Sequence, residues 1–154
     1  MAKLTRDFFD RDTLTVAPAL LGKYLVRSYG VTLLAGRITE TEAYIGRCDK
    51  ACHAYNYRRT ARTETLFMAP GHAYIYFIYG MYHCLNAYRR KNFLNGPGKI
   101  CKALDLTTAQ NRLDLTGDTL FLCDSLADIG LAEPPHEPER LCTGPRIGVD
   151  YAEE

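Results

Sequence analysis

The sequence predicts an α+β fold: a single domain on a curved antiparallel β-sheet, with a protruding β-hairpin and a few short helices. Three observations carry this class. Strand-like segments recur at short intervals between turn residues, and helix-like segments are few and short. The two kinds do not alternate in the regular way that a parallel sheet requires. A chain of 154 residues suits one domain that buries roughly 70% of its unfolded surface. With 47% hydrophobic and 24% charged residues, the composition is that of a globular protein and excludes a disordered one.

The elements follow in chain order. "DTLTVAPALLGKYLV" reads as a short helix, with Thr15 as N-cap, Pro18 in the first turn and Gly22 just past the end. "KYLVRS" and "VTLLAGRITETEAYI" read as two strands joined at Tyr29-Gly30. A short helical turn is expected near "TETLFMAPG", followed by the most aromatic stretch, "HAYIYFIYGMYHCLNA", as a hairpin bent at Tyr79-Gly80. A tyrosine forced to positive φ at such a tip would be strained, which points to a functional role. "NGPGKICKAL" reads as a helix with Pro97 in its first turn and Ile100, Ala103 and Leu104 on one face. "TLFLCDSL" reads as a strand, and a Pro-rich loop then leads to "TGPRIGVDYAEE". "GPGKI" and "GPRI" each place a cation at a turn, a geometry that suits a phosphate.

A net charge of +1 excludes a bulk polycation, yet the charge is uneven. Arg58, Arg59 and Arg62 form one basic cluster, Arg89, Arg90 and Lys91 another, and the stretch around Glu133, Glu137 and Glu139 is acidic. Local basic patches can meet phosphate backbones or simply face water. No apolar run reaches the roughly 18 residues needed to span a bilayer. "MAKLTRDFFDRD" lacks the apolar core of a signal peptide. A cytosolic compartment (the bacterial nucleoid) or a nuclear one is therefore expected, with reduced thiols. Cys48, Cys52 and His53 spell C-x-x-x-C-H, one residue too long for haem attachment, and the other cysteines are scattered singly. A structural zinc needs four ligands, so buried free thiols and no metal are expected.

Chemistry concentrates between Ile38 and Thr60. As a strand, this stretch sends Ile38, Glu40, Glu42 and Tyr44 to one face and Thr39, Thr41, Ala43 and Ile45 to the other. Two carboxylates so placed lie roughly 6–7 Å apart, and each raises the other's pKa where water is scarce. One flanked by an aromatic ring could serve as general base on water; the alternative is the polar outer face of an antiparallel sheet. His53 could orient a substrate, titrate or cap a loop. Tyr74 and Tyr76 share a strand face. Eleven tyrosines and no tryptophan could supply a stacking platform for bases, or simply a core.

"ITETEAY", "CDKACHA", "RRTART", "LFMAPGHAYIYFIYGMYHCLN", "NGPGKICKAL" and "TGPRIGV" follow one another in order. Together they closely resemble the alkyladenine DNA glycosylase family, the 3-methyladenine DNA glycosylases of the mammalian type, from about Phe8 to Tyr151. The resemblance implies a monofunctional enzyme that removes damaged purines from double-stranded DNA as a monomer, with no cofactor, metal or membrane. By the same resemblance Glu42 is the catalytic base, activating water as the glycosidic bond breaks. Tyr44, His53 and Tyr76 contact the flipped base, and the backbone of Ala51 reads the purine edge. Asn86 crowds the 2-amino group of guanine, and Tyr79 is the wedge that enters the duplex. Arg58, Lys99 and Arg146 are the expected phosphate contacts. Carboxylate, rings and arginines would then adjoin because base flipping needs all three together.

The chain departs from the family pattern twice. After Asn86, "AYRRKNFL" bridges directly to "NGPG", where members continue through a further strand and helix. The closing strand after "RIGVDYA" is also missing. The expectation is a single DNA glycosylase domain spanning 1–154 without those segments, whose "MYHCLNA" arm has become an edge strand or is capped by another part of the chain. Two rival functions stand beside excision: a catalytically weak or silent damaged-DNA-binding remnant, and a carbohydrate hydrolase using Glu40 and Glu42. The last suffers because glycosidases place their carboxylates on opposite sides of the bond.

Overall fold

In the computed structural model, which describes residues 3–78, 82–88, 97–136, 140–146 and 149–152, side chains are described for all of these except 82, 86–88, 97–99 and 150. The chain forms an open α+β fold with two antiparallel sheets. β1 (Tyr24–Tyr29) is central in the first sheet, between β2 (Thr32–Arg37) and β5 (Leu120–Cys123). Tyr24, Leu25, Val26 and Arg27 are all buried because both faces of β1 are covered. Leu25, Leu120 and Leu122 face the main core, while Tyr24, Val26, Phe121 and Cys123 face a second cluster with Leu126. The β1–β2 connection lies at Gly30-Val31, one residue later than expected, since Tyr29 still pairs with Thr32. Gly30 supplies the positive φ, +62°, that such a tight hairpin needs.

Two helices precede this sheet: α1 (Arg6–Phe9) and α2 (Thr13–Ala19). The cap of α2 is Asp12, whose side chain accepts from Leu14 N, and not Thr15, which lies inside the helix. Pro18 falls near the helix end rather than in its first turn. Gly22, at φ +80°, donates its N–H to Ile38 O at 2.8 Å and turns the chain into β1.

The second sheet is the expected hairpin of β3 (His72–Ile78) and β4 (Tyr82–Tyr88), with Ile78 opposite Tyr82. Tyr79 and Gly80, the expected bend, lie outside the described residues. The outer edge of β3 is covered by the 111–115 segment: Ala73 N donates to Leu113 O, Arg112 N to Ala73 O and Ile75 N to the Asn111 side chain. Among the described residues β4 pairs with β3 alone. α3 (Pro97–Ala103) contributes Cys101, and the chain just beyond it Leu104, to the core that holds Leu85 of β4. The buried face of this region is Cys101 and Leu104 with Ile100 partly covered; Ala103 is exposed, contrary to expectation. Arg27 reaches from β1 to donate to Leu104 O at 2.8 Å and to Asp105 O, capping that end.

Two further expectations are corrected. β2 ends at Arg37, so Glu40, Glu42 and Tyr44 sit on a segment without regular secondary structure. Ile38 still exchanges bonds with Gly22 and Lys23, but beyond it the neighbour is α2, where Thr41 Oγ1 donates to Ala17 O at 3.0 Å. A helix offers no strand edge, and the ladder stops. Of the six cysteines, all free thiols, only Cys84, Cys101 and Cys123 are buried, whereas Cys48 and Cys142 are exposed.

Candidate active site

Glu42 is half-buried, and the Tyr44 hydroxyl donates to its Oε2 at 2.9 Å. Burial raises the Tyr44 pKa first, and the Glu42 carboxylate raises it further, so the hydroxyl remains a proton donor. The Arg146 guanidinium lies over the Tyr44 ring, 4.5 Å from its centroid, and donates to Ala43 O at 3.3 Å. It also forms a bidentate pair with Asp49 at 2.9 and 3.2 Å. The Arg146 side chain is 10% exposed and that of Asp49 2%. Asp49 in turn accepts from Ile45 N and Ala51 N, both at 2.9 Å. One buried carboxylate thus closes the 45–51 loop and ties it to the C-terminal stretch.

This places Arg146 differently from its expected contact with phosphate: its guanidinium is turned inward, onto Asp49 and Tyr44. Ala51 is buried with its N–H on Asp49, so the N–H is engaged within the chain. Asp49 escaped the sequence reading. The turn Asp49 makes with Ala51 N is local and follows from aspartate's habit of bonding the backbone two residues on. Its arginine lies 97 positions away in sequence, and no local signal marks it.

The second group is aromatic. Tyr74 and Tyr76, two residues apart on β3, stack with centroids 5.1 Å apart and 29° between planes. His53 meets the Tyr76 ring edge-on at 4.8 Å, and its Nδ1 lies 2.9 Å from the Tyr74 hydroxyl. Burial, then Arg62 and Arg58, push the His53 pKa down to about 4, so the imidazole is neutral at neutral pH. Tyr76 is 7% exposed, and the Arg62 guanidinium lies 5.1 Å from its ring centroid. Burial raises the Tyr76 pKa first, then Cys84 and Tyr44, so the Tyr44 hydroxyl lies within electrostatic reach of this second group.

Residues 55–62 form an exposed rim beside it. Asn56 and Tyr57 adopt positive φ, 52° and 59°, and Tyr57 is 58% exposed. Thr60 and Thr63 bind each other's backbone N–H, and Thr63 Oγ1 donates to Arg58 O, so the rim is stapled from within. Arg58 is exposed, as a phosphate contact requires, whereas Arg59 is paired with Glu64 at 2.6 and 2.8 Å. Tyr79 lies outside the described residues, and the side chains of Asn86 and Lys99 lie outside the described side chains. Among the described residues no group of three or more His, Cys, Asp or Glu side chains is arranged to hold a metal ion, and no helix is long and apolar enough to cross a membrane.

Comparison with known proteins gives a consistent result. The sequence profile described as methylpurine-DNA glycosylase matches in two stretches, residues 7–92 and 86–154. A protein of Clostridium perfringens (strain SM101) named "putative 3-methyladenine DNA glycosylase" is 40% identical over 191 aligned residues, covering 99% of this chain and 90% of the relative. Relatives of the same name from Clostridium acetobutylicum, 37% identical over 191 residues, and Bacillus cytotoxicus, 39% identical over 184, cover 99% and 96% of the chain and 89% and 88% of themselves.

Proposed function

The chain belongs to the methylpurine-DNA glycosylase family, and on that premise we propose that it is a monofunctional base-excision glycosylase acting on alkylated or deaminated purines in double-stranded DNA. It hydrolyses the N-glycosidic bond after flipping the nucleotide, with 3-methyladenine, hypoxanthine and ethenoadenine as candidate bases. The observation that carries this reading is the Tyr44–Glu42 hydrogen bond at 2.9 Å, set beside the His53, Tyr74 and Tyr76 rings. In it a half-buried carboxylate is held by a hydroxyl that stays protonated.

Glu42 takes the proton of the attacking water, and its charge stabilises the oxocarbenium-like sugar. Tyr44 orients the carboxylate while its ring contacts the base. The Asp49–Arg146 pair fixes Tyr44 in turn, so Arg146 serves as a positioning residue more than as a phosphate contact. Neutral His53 avoids placing a cation beside an alkylated, positively charged base. Arg58 and Lys99 face the DNA backbone, Tyr79 fills the gap left by the flipped nucleotide, and Asn86 excludes guanine.

The test is a labelled duplex with one hypoxanthine, incubated with the protein and then cleaved at abasic sites with alkali. Wild type should nick the strand at the lesion. Glu42→Gln should lose roughly 10²–10⁴-fold in rate and keep its lesion affinity; equal rates would sink the assignment. A second reading, a damaged-DNA binder with weak or no excision, is favoured by the two-stretch match whose seam falls at residues 86–92. Lesion binding without strand cleavage by wild type would select it.

A further inference from the structure

Tyr57 stands at φ +59°, next to Asn56 at +52°, and its ring is 58% exposed. Asparagine accepts the left-handed region, whereas a tyrosine there is strained. Burial of the ring would offset that strain, yet most of this ring faces water. Arg47 is what holds it. The Arg47 backbone oxygen accepts from Asn56 N at 2.9 Å, and its guanidinium donates to the Tyr57 hydroxyl. The same guanidinium lies over the Tyr57 ring, 5.1 Å from the centroid. A strained ring held out into solvent by a cation points to a binding role. Tyr55, two residues earlier, is 41% exposed. Arg47, Arg58 and Arg62 are exposed in the same two loops. Among the described residues none of these three has a carboxylate partner, whereas Glu64 neutralises Arg59. The Arg62 guanidinium also lies over the Tyr76 ring, so this surface borders the pocket.

We propose that Tyr57, held by Arg47 and flanked by Tyr55, is a stacking platform for an unpaired nucleobase outside the pocket, through which the chain binds single-stranded DNA. The proposal goes beyond excision from a duplex and rests on that reading only for DNA as the partner. Two features select this occupant. Exposed rings take the π-face of any base, and the unneutralised arginines attract the phosphates that link one base to the next. In a duplex the bases are already stacked on their neighbours and present only their edges. A single strand lays a base flat on the ring. A protein surface that covered the rings would have to desolvate the arginines as well.

The test is fluorescence anisotropy with two labelled strands of equal length. One is an oligothymidylate; the other is built of abasic tetrahydrofuran sites, which keep the phosphates and lack the bases. Wild type should bind the oligothymidylate more tightly, and equal binding of the two overturns the proposal. Tyr57→Ala should weaken oligothymidylate binding about tenfold, the scale of one stacked base, and abasic-strand binding less than about twofold. Tyr57→Phe, which keeps the ring, should stay within about threefold of wild type on both strands. Equal losses on the two strands, no loss on either, or a Tyr57→Phe as weak as Tyr57→Ala overturns the proposal. Should Tyr57→Ala fail to fold, Tyr57→Gly takes its place, since glycine adopts the left-handed backbone without strain, and the same outcomes decide. If hypoxanthine is not released while these results hold, the glycosylase reading fails and the platform stands.

Discussion

Asp49 and Arg146 show how much a single pair can hold in place. Their side chains are 2% and 10% exposed, and removing one partner leaves a buried charge without its counterpart. Arg146→Met should therefore cost about 3–5 kcal/mol in urea unfolding, with a similar loss for Asp49→Asn. The double variant should be less damaged than the two losses added, and strict additivity would show that the pair does not act as one unit. His53 gives a pH signature. Its ordinary pKa of 6.5 is lowered to about 4 in the folded chain, by burial and by Arg62 and Arg58, with Tyr74 and Tyr76 against its ring. Between those values the unfolded chain binds a proton that the folded one refuses. The stability from neutral His53 is thus present above about pH 6.5 and is lost as pH falls toward 4. His53→Gln should flatten the decline in Tm across that window, and parallel declines would refute the assignment.

Elements meet here through close approaches more than through long interfaces. Gly71, at φ +82°, enters β3 where an added Cβ would lie 2.9 Å from the Phe9 ring of α1. Gly71→Ala should cost about 1–3 kcal/mol from the left-handed backbone alone, and displacing Phe9, which is fully buried, adds to it. A thermal melt within 1 °C of wild type would show that α1 can shift freely. α2 depends on a different local feature, the Asp12 side chain on Leu14 N. The β3–β4 hairpin gains its support from the 111–115 segment on one side and α3 on one face, while the stacked Tyr74 and Tyr76 pack on the other face with Leu66 and Cys84.

For the whole molecule, length is the telling quantity. The alignment to the Clostridium perfringens relative runs over 191 positions, more than the 154 residues this chain has. The two profile stretches meet at residues 86–92, where β4 ends. We infer that a strand–helix segment of the family is missing after about residue 87, where β4 has β3 as its strand partner among the described residues. Inserting a family-length segment after Asn86 should raise hypoxanthine excision and slow amide exchange along β4. No gain in either would show that the shortened chain is already complete.

The sequence by itself determined the element types, the hairpin, the stacked Tyr74–Tyr76 face and the family. Each is written in residues close together: alternation for strands, Gly and Pro at turns, and a run of specific motifs in order. It also located Glu42, Tyr44 and His53 in one stretch, but misjudged what that stretch is, because a strand ends where its neighbour ends and the neighbour of Glu42 is α2. The buried Asp49–Arg146 fork, the inward turn of an arginine expected at phosphate, and the Tyr74 hydroxyl against His53 were decided only by the tertiary structure. Those contacts join residues 97 and 21 positions apart. Their energies come from burial and pairing, which no local pattern encodes, since a charge or a hydroxyl reads the same in sequence whether it faces water or another side chain.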